Sequence, residues 1–291
     1  MIPGGSPGGP GPAHADNAFT VDLEEWFHVC GVGGALAFER WDELPARVVP
    51  TTQSLLDLLD RAGVRATFFV VGWIAARYPR LVEAVRDAGH EIGSHGYRHQ
   101  RVYELDGAAF RRDLQASVGA LNAAGVAVVC CFRAPEWSVN DRSLWALDTL
   151  VEEGFTVDAS MAPVKMVGSP RYPRHPHIRR TGAGPILEVP PLVADRFGQV
   201  MPLGWGWGLR MSSPSRVLHA IDRLNRSGRP AVLAVHPWEL DPDPPRVRLP
   251  AGLRFAHYFR LAGFADRLRA IVSGGRFGPI SAIAKTAPAS M

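Results

Sequence analysis

Seven short apolar runs, rich in β-branched and aromatic residues, recur along the chain with amphipathic segments in many of the gaps, and this alternation constrains the fold most. The runs are AFTVDL (18–23), RATFFVVG (65–72), HEIGSH (90–95), VAVVCCFRAP (126–135), FTVDAS (155–160), PILEVPP (185–191) and PAVLAVHP (230–237). Their length and composition predict strands. Helices are predicted over TTQSLLDLLDRAG, NDRSLWALDTLVEEG and SPSRVLHAIDRLNRSG. The first has Thr51 at its start, apolar Leu55, Leu56, Leu58 and Leu59, and Gly63 at its end, as capping prefers. Repeated βα units imply an α/β fold with a mainly parallel sheet, and about seven of them favour a barrel over an open sheet.

No repeat or linker interrupts this pattern from residue 18 to about 240. With 291 residues, 46% hydrophobic and 21% charged, the chain has room for one large α/β domain or two small ones. Residues 1–17, MIPGGSPGGPGPAHADN, are rich in Gly and Pro and lack a basic start and an apolar core, so they read as a disordered leader rather than a signal peptide. Residues 18–284 read as one catalytic domain, with its core over about 18–240 and a helical extension over about 241–284, followed by a tail at 285–291. No apolar stretch reaches the length of a membrane span. A net charge of +4 with arginine spread through the chain gives little support to a nucleic-acid partner. Cys130 and Cys131 adjoin in an apolar run, where strand neighbours face opposite ways, so the three cysteines are expected to be buried free thiols, which points to the cytoplasm.

On this frame the polar residues fall at the C-terminal ends of strands: Asp22 and Glu24 after the first, His95 and His99 after the third, Arg133 after the fourth, Asp158 near the fifth, and His236 after the last. A parallel barrel gathers those ends on one rim. Taken singly, each has an ordinary reading as a helix cap, a salt-bridge partner, a turn acid or a core histidine. Together they form a chemical set. His95, His99 and Glu24 supply two imidazoles and a carboxylate, a donor set for zinc or a similar divalent ion with a position left for water. His90 lies five residues from His95, on the opposite face of a strand, and is expected to be a loop or surface histidine. Asp22 shares the inward face with Glu24 and is the candidate base, oriented by Arg133. His236 is the candidate acid, with Asp158 accepting from its ring.

The ordered segments TVDLE, SHGYRH, RAPEW, VDAS and LAVHPWE resemble the polysaccharide deacetylase family, the carbohydrate esterases of family 4. HPWE and HYFRLAGFADRLRAI are similar to the branch found with exopolysaccharide gene clusters. The resemblance implies a distorted (β/α)7 barrel that binds a divalent metal, most often zinc, and hydrolyses acetyl groups from carbohydrates. Carried over by motif, Asp22 is the base, Arg133 its partner, His95 and His99 the metal histidines, and His236 the acid with Asp158 behind it. Leu23 stands where many members have a second adjacent aspartate, which moves the metal carboxylate to Glu24. Glu136 replaces a common tyrosine but keeps the backbone N–H for an oxyanion.

Trp205 and Trp207 would share one side of an extended stretch and stack on sugar, with core or subunit packing as the alternative, so a homo-oligomer stays open. Trp26, Trp137 and Trp238 are further pocket-wall candidates, Trp137 and Trp238 being grouped with the substrate-binding residues. The leading expectation is a zinc-type N-deacetylase acting on an acetylated amino sugar. A cyclic amide or ureide hydrolase and a noncatalytic carbohydrate binder are the alternatives.

Overall fold

The computed structural model describes residues 16–284; the leader through residue 15 and the tail lie outside them. All seven expected strands form: β1 (Asn17–Leu23), β2 (Thr67–Val70), β3 (Glu91–Ser94), β4 (Cys131–Phe132), β5 (Val157–Asp158), β7 (Pro185–Glu188) and β10 (Val232–Val235). They pair in parallel in the order β10-β1-β2-β3-β4-β5-β7. Beyond β7, β6 (His177–Arg180) adds an antiparallel edge strand, and the short β11 (Phe277–Gly278) pairs with β1.

Arg133, at the end of β4, donates to Asp22 of β1 at 2.7 Å although two strands lie between them. Three strand spacings in a flat sheet come to about 14 Å, beyond the reach of an arginine. The sheet must therefore curl until β1 and β4 face each other. It does not close by strand pairing among the described residues. The opening beside β10 is spanned by connecting chain instead: Leu192 donates its N–H to Val232 and Ala234 donates to Gly204. Strands β8 (Val193–Arg196) and β9 (Gln199–Pro202) form a separate antiparallel hairpin between these two points.

Helices cover the outside of the curled sheet. Helix α1 (Val48–Arg61) begins three residues before Thr51, because the Glu25 carboxylate accepts from the N–H groups of Arg47 and Val48 at 2.7 and 2.8 Å and caps the helix from another segment. Burial raises the Glu25 carboxyl to about 6 against those hydrogen bonds. Gly63, at φ +65°, turns the chain away from α1 toward β2. Helices α2 (Gly72–Arg77), α3 (Pro79–Asp87), α4 (Gly107–Ala123) and α5 (Trp145–Glu152) follow. Then come α6 (Gly206–Met211) and α7 (Pro214–Arg226), the latter capped by Ser213, whose hydroxyl accepts from Arg216 N–H. Helices α8 (Ala251–Tyr258), α9 (Phe264–Gly274) and α10 (Ile280–Ala284) end the described chain. The largest core cluster joins β1, β2 and β10 to α1, α3, α7 and α9 through Phe19, Leu59, Phe68, Val82, Ile221, Leu233 and Leu268. Burial of this order anchors the strand ends that carry the polar residues.

Cys30 and Cys131 are buried and Cys130 is half-buried, all as free thiols. Cys130 and Cys131 do not point apart as expected. Their sulfurs lie 3.8 Å from each other, because the strand begins only at Cys131 and Cys130 is free of its alternation. His90 is buried rather than at the surface, and its Nδ1 accepts from Ala66 N–H at 3.1 Å, away from the polar rim. Trp26 is also core: it donates Nε1–H to the Pro45 carbonyl and is not part of the pocket wall.

Candidate active site and metal centre

A cavity of about 210 Å³ opens at the C-terminal strand ends, and Asp22, Glu24, His95, His99, Glu136 and His236 all line it. Glu24, His95 and His99 bring one donor atom each to within 4.8 Å of one another. Glu24 Oε2 lies 2.5 Å from His99 Nε2 and 3.8 Å from His95 Nε2. The buried carboxylate is opposed by desolvation, yet His99, His236 and His95 hold its pKa far below the usual range. His95 Nδ1 lies 2.7 Å from the Arg133 carbonyl, which can only accept, so Nδ1 carries the proton and Nε2 presents a lone pair to the cluster. Burial lowers His95 to about 4 and keeps the ring neutral. Two imidazoles and a carboxylate with tied-down outer atoms fit a divalent metal.

Asp22 and Arg133 form the buried pair expected of them. The guanidinium is fully buried. Nη1 donates to Asp22 Oδ1 at 2.7 Å and to Thr20 Oγ1 at 2.8 Å, and Nε donates to the Ala159 carbonyl at 3.1 Å. The rings of Phe69 and Trp137 lie 4.3 and 4.5 Å from its carbon, so the cation is held between aromatic surfaces. Asp22 keeps its second oxygen toward His236, whose Nε2 lies 3.8 Å away.

Asp158 does not stand behind His236. The Nδ1 of His236 meets Glu239 Oε2 at 3.0 Å, and the same oxygen accepts from the His236 backbone N–H at 3.0 Å. The turn after β10 makes this pairing, because in HPWE the third residue past the histidine folds back on it as in a capping box. Glu239 Oε1 is in turn 2.8 Å from Arg210 Nε, both side chains being almost fully buried. Burial opposes a charge on His236, but Glu24, Glu239 and Asp22 outweigh it and raise the ring to about 9. Asp158 instead pairs with Glu188 across β5 and β7 and accepts from Ser160. Burial, with the neighbouring Asp158 carboxylate, pushes Glu188 well above the carboxylate range.

The aromatic candidates divide. Trp205 and Trp207 both line the cavity but do not share an extended segment. Gly206, at φ +50°, starts α6 between them, so Trp205 packs on Trp137 while Trp207 turns toward Phe255. Trp238 donates Nε1–H to Glu24 Oε1 at 3.0 Å and stacks between His236 and His257; it orients a carboxylate of the candidate metal cluster. Glu136 occupies the pocket wall as expected, with its carboxylate on Arg101 and on the backbone N–H of Cys30. His99, Glu136 and Trp137 all have positive φ, at 49°, 52° and 56°. Cys30 lies 3.5 Å from His99 Nδ1 and donates its thiol proton to the His99 carbonyl. His28 and His257, not singled out in the sequence, also line the cavity, each with a buried Nε2 that has no partner among the described residues. Glu25 donates its backbone N–H to His28 Nδ1, so the free Nε2 of that ring bears a proton.

Residues 36–151 match the polysaccharide deacetylase family, and residues 159–285 match a domain of unknown function, DUF3473. The chain therefore carries a polysaccharide deacetylase domain joined to a DUF3473 domain. His95, His99 and Arg133 lie in the first match and His236, Glu239 and Arg210 in the second, so one cavity draws on both. The chain is 31% identical to chitin deacetylase 1 of Saccharomyces cerevisiae over 123 residues, covering 38% of this chain and 39% of that protein. It is 30% identical to a chitooligosaccharide deacetylase of Sinorhizobium fredii over 145 residues, covering 48% and 61%. The chain thus spans less than two thirds of these relatives. Among solved structures, a polysaccharide deacetylase-like protein of Mycobacterium smegmatis superposes with TM-score 0.58 at 20% identity, covering 100% of this chain and 98% of that one. Puue allantoinase superposes with TM-score 0.57 at 17% identity, covering 94% and 90%. These likenesses establish a shared fold.

Proposed function

We propose that the protein is a metal-dependent carbohydrate N-deacetylase that hydrolyses the acetamide of an amino sugar and releases acetate. One observation carries the reading: a buried Asp22–Arg133 pair and a Glu239-supported His236 flank the Glu24, His95 and His99 cluster within a single cavity. Those three residues would hold the metal. A bound divalent ion supplies a Lewis acid for the acyl oxygen and lowers the pKa of water. Asp22, oriented by Arg133, takes the proton of the attacking water. The Glu136 N–H donates to the developing oxyanion. His236, charged at neutral pH and steered by Glu239, gives its proton to the departing nitrogen, which cannot leave as an anion.

The nitrogen-rich donor set supports zinc, the three free cysteines support a cytoplasmic setting, and the DUF3473 match supports an exopolysaccharide-type glycan as substrate. The shared cavity supports treating residues 18–284 as one catalytic unit. Purified protein assayed for metal content and for products from N-acetylated oligosaccharides and cyclic ureides tests the proposal. Acetate release with stoichiometric metal is expected. Ring opening of a ureide without acetate release would replace the reading with an allantoinase-type activity, and binding without turnover in metal-loaded protein would make the chain a carbohydrate binder.

A further inference from the structure

Helix α8 forms one wall of the cavity through Leu253, Ala256 and His257. Its outer side is aromatic. Phe255 and Phe259 are 42% and 36% exposed and stack at 4.5 Å, Trp207 packs against Phe255 at 6.3 Å, and Met211 is 40% exposed at the end of α6. Trp207 also lines the cavity, so this patch continues to the cavity mouth. Exposed aromatics gathered beside a ligand cavity mark an interaction surface.

The charge around the patch selects its partner. Arginine is spread along the whole chain, but its carboxylate partners are not: between Arg246 and Arg276 there are seven arginines and only Asp266. Arg269 pairs with Asp266 and Arg276 with Asp16. Arg246, Arg248, Arg254 and Arg260 form no ion pair with a carboxylate among the described residues, and Arg267 has only the neighbouring Asp266, which already holds Arg269. Arg254 on α8 and Arg260 in the turn that follows it flank the exposed Phe255 and Phe259. A short helix with aromatic side chains on one side and cations around it suits the interface of an anionic bilayer, where rings enter the headgroup region and arginines meet lipid phosphates. A second copy of the chain would bring the same cations together.

We propose that α8 docks the protein on an anionic membrane surface and turns the cavity mouth toward the lipid, so that the acetylated sugar it takes is lipid-anchored. The substrate part of this inference rests on the deacetylase reading; the docking part does not. The test is co-sedimentation of the full chain with vesicles of phosphatidylglycerol mixed with phosphatidylcholine, beside vesicles of phosphatidylcholine alone. Sedimentation with the anionic vesicles only is expected. Arg254→Gln with Arg260→Gln should weaken it roughly thirtyfold, on about a kcal/mol per surface cation, and Phe255→Ser with Phe259→Ser should also release the protein. Acetate release from a soluble N-acetylated oligosaccharide is measured on every variant, and should be unchanged because none of these four side chains lines the cavity. Absence of sedimentation overturns the docking, as does binding that the Ser variants retain. Concentration-dependent dimerisation abolished by those variants assigns the patch to a second copy and overturns it too. Vesicle binding without any acetate release would instead sink the deacetylase reading and leave the docking standing.

Discussion

Arg133 reaches Asp22 and the Glu24, His95 and His99 cluster with different atoms: its guanidinium holds Asp22 at 2.7 Å, while its carbonyl oxygen meets His95 Nδ1 at 2.7 Å. The candidate base and a candidate ligand are thereby fixed to the one residue that follows β4. The main-chain contact survives substitution of the side chain, and the two functions can be separated by mutation.

Asp22→Asn keeps the size of the side chain and an acceptor for Arg133 but cannot take up the proton. Metal content should stay at the wild-type level while kcat falls about a hundredfold or more, within the span of general-base loss. Metal analysis beside steady-state kinetics checks this. Turnover close to wild type in the metal-loaded variant would remove Asp22 as the base.

Trp238→Phe removes the N–H that orients Glu24 while keeping a ring between His236 and His257. Metal affinity should fall about ten- to a hundredfold, the usual effect of losing an outer partner of a ligand. At saturating metal, kcat should be nearly restored. Competition with a chelator, followed by activity at rising metal concentration, measures both.

His236 must carry its proton to act as an acid, so activity is lost as pH rises through its pKa. Glu239→Gln withdraws a carboxylate that raises that pKa, and the alkaline limb of the kcat profile should move down by about one pH unit or more. Because the change strands buried Arg210, Glu239→Gln is best compared with Glu239→Gln/Arg210→Met, which removes the unpaired charge. Asp158→Asn should leave the limb in place. An equal shift with Asp158→Asn would restore the support expected from the sequence.

Burial and Arg65 hold His90 down at about 4, against 6.5 for a free ring. Below pH 6.5 the unfolded chain takes up a proton that the folded chain refuses, so His90 lowers stability progressively from about pH 6.5 to 4. Above 6.5 both forms are neutral there and the contribution is flat. His90→Gln, which can still accept from Ala66, should show a shallower loss of denaturation midpoint across that acidic window. Parallel slopes for the two proteins would exclude His90 as a source of the acid sensitivity.

The seven parallel strands were legible because each is a short apolar run bounded by turn residues, and the rim residues were legible because a parallel sheet fixes which end they occupy. The partner of His236 was not. Four strands lie between β5 and β10, and Asp158 is taken up by Ser160 and Glu188, whereas Glu239 reaches the histidine through a local turn whose signal is the i, i+3 pair in HPWE. The pairing of Trp205 with Trp207 failed on one backbone torsion, since Gly206 turns the chain into a helix where an extended run was read. His28 lies four residues past the candidate ligand Glu24, held by a local bond to Glu25 that the spacing alone did not announce, and only the placement of α8 brings His257 to the cavity. Strand β6 and the β8–β9 hairpin escaped notice because their half-buried, mixed sequences lack a sustained period.

The left-handed backbone at His99, Glu136 and Trp137 gives the catalytic rim a tension between endurance and turnover. Such conformations cost about 1–3 kcal/mol each for residues with a side chain, and the surrounding packing must absorb them. Glu136→Gly relaxes one without a side-chain penalty, although it also releases Arg101 and the Cys30 N–H. A library screened for heat resistance alone should therefore enrich glycine at Glu136, which keeps its backbone N–H, and at His99, where it deletes a proposed metal ligand, so that durability and turnover should part company at His99.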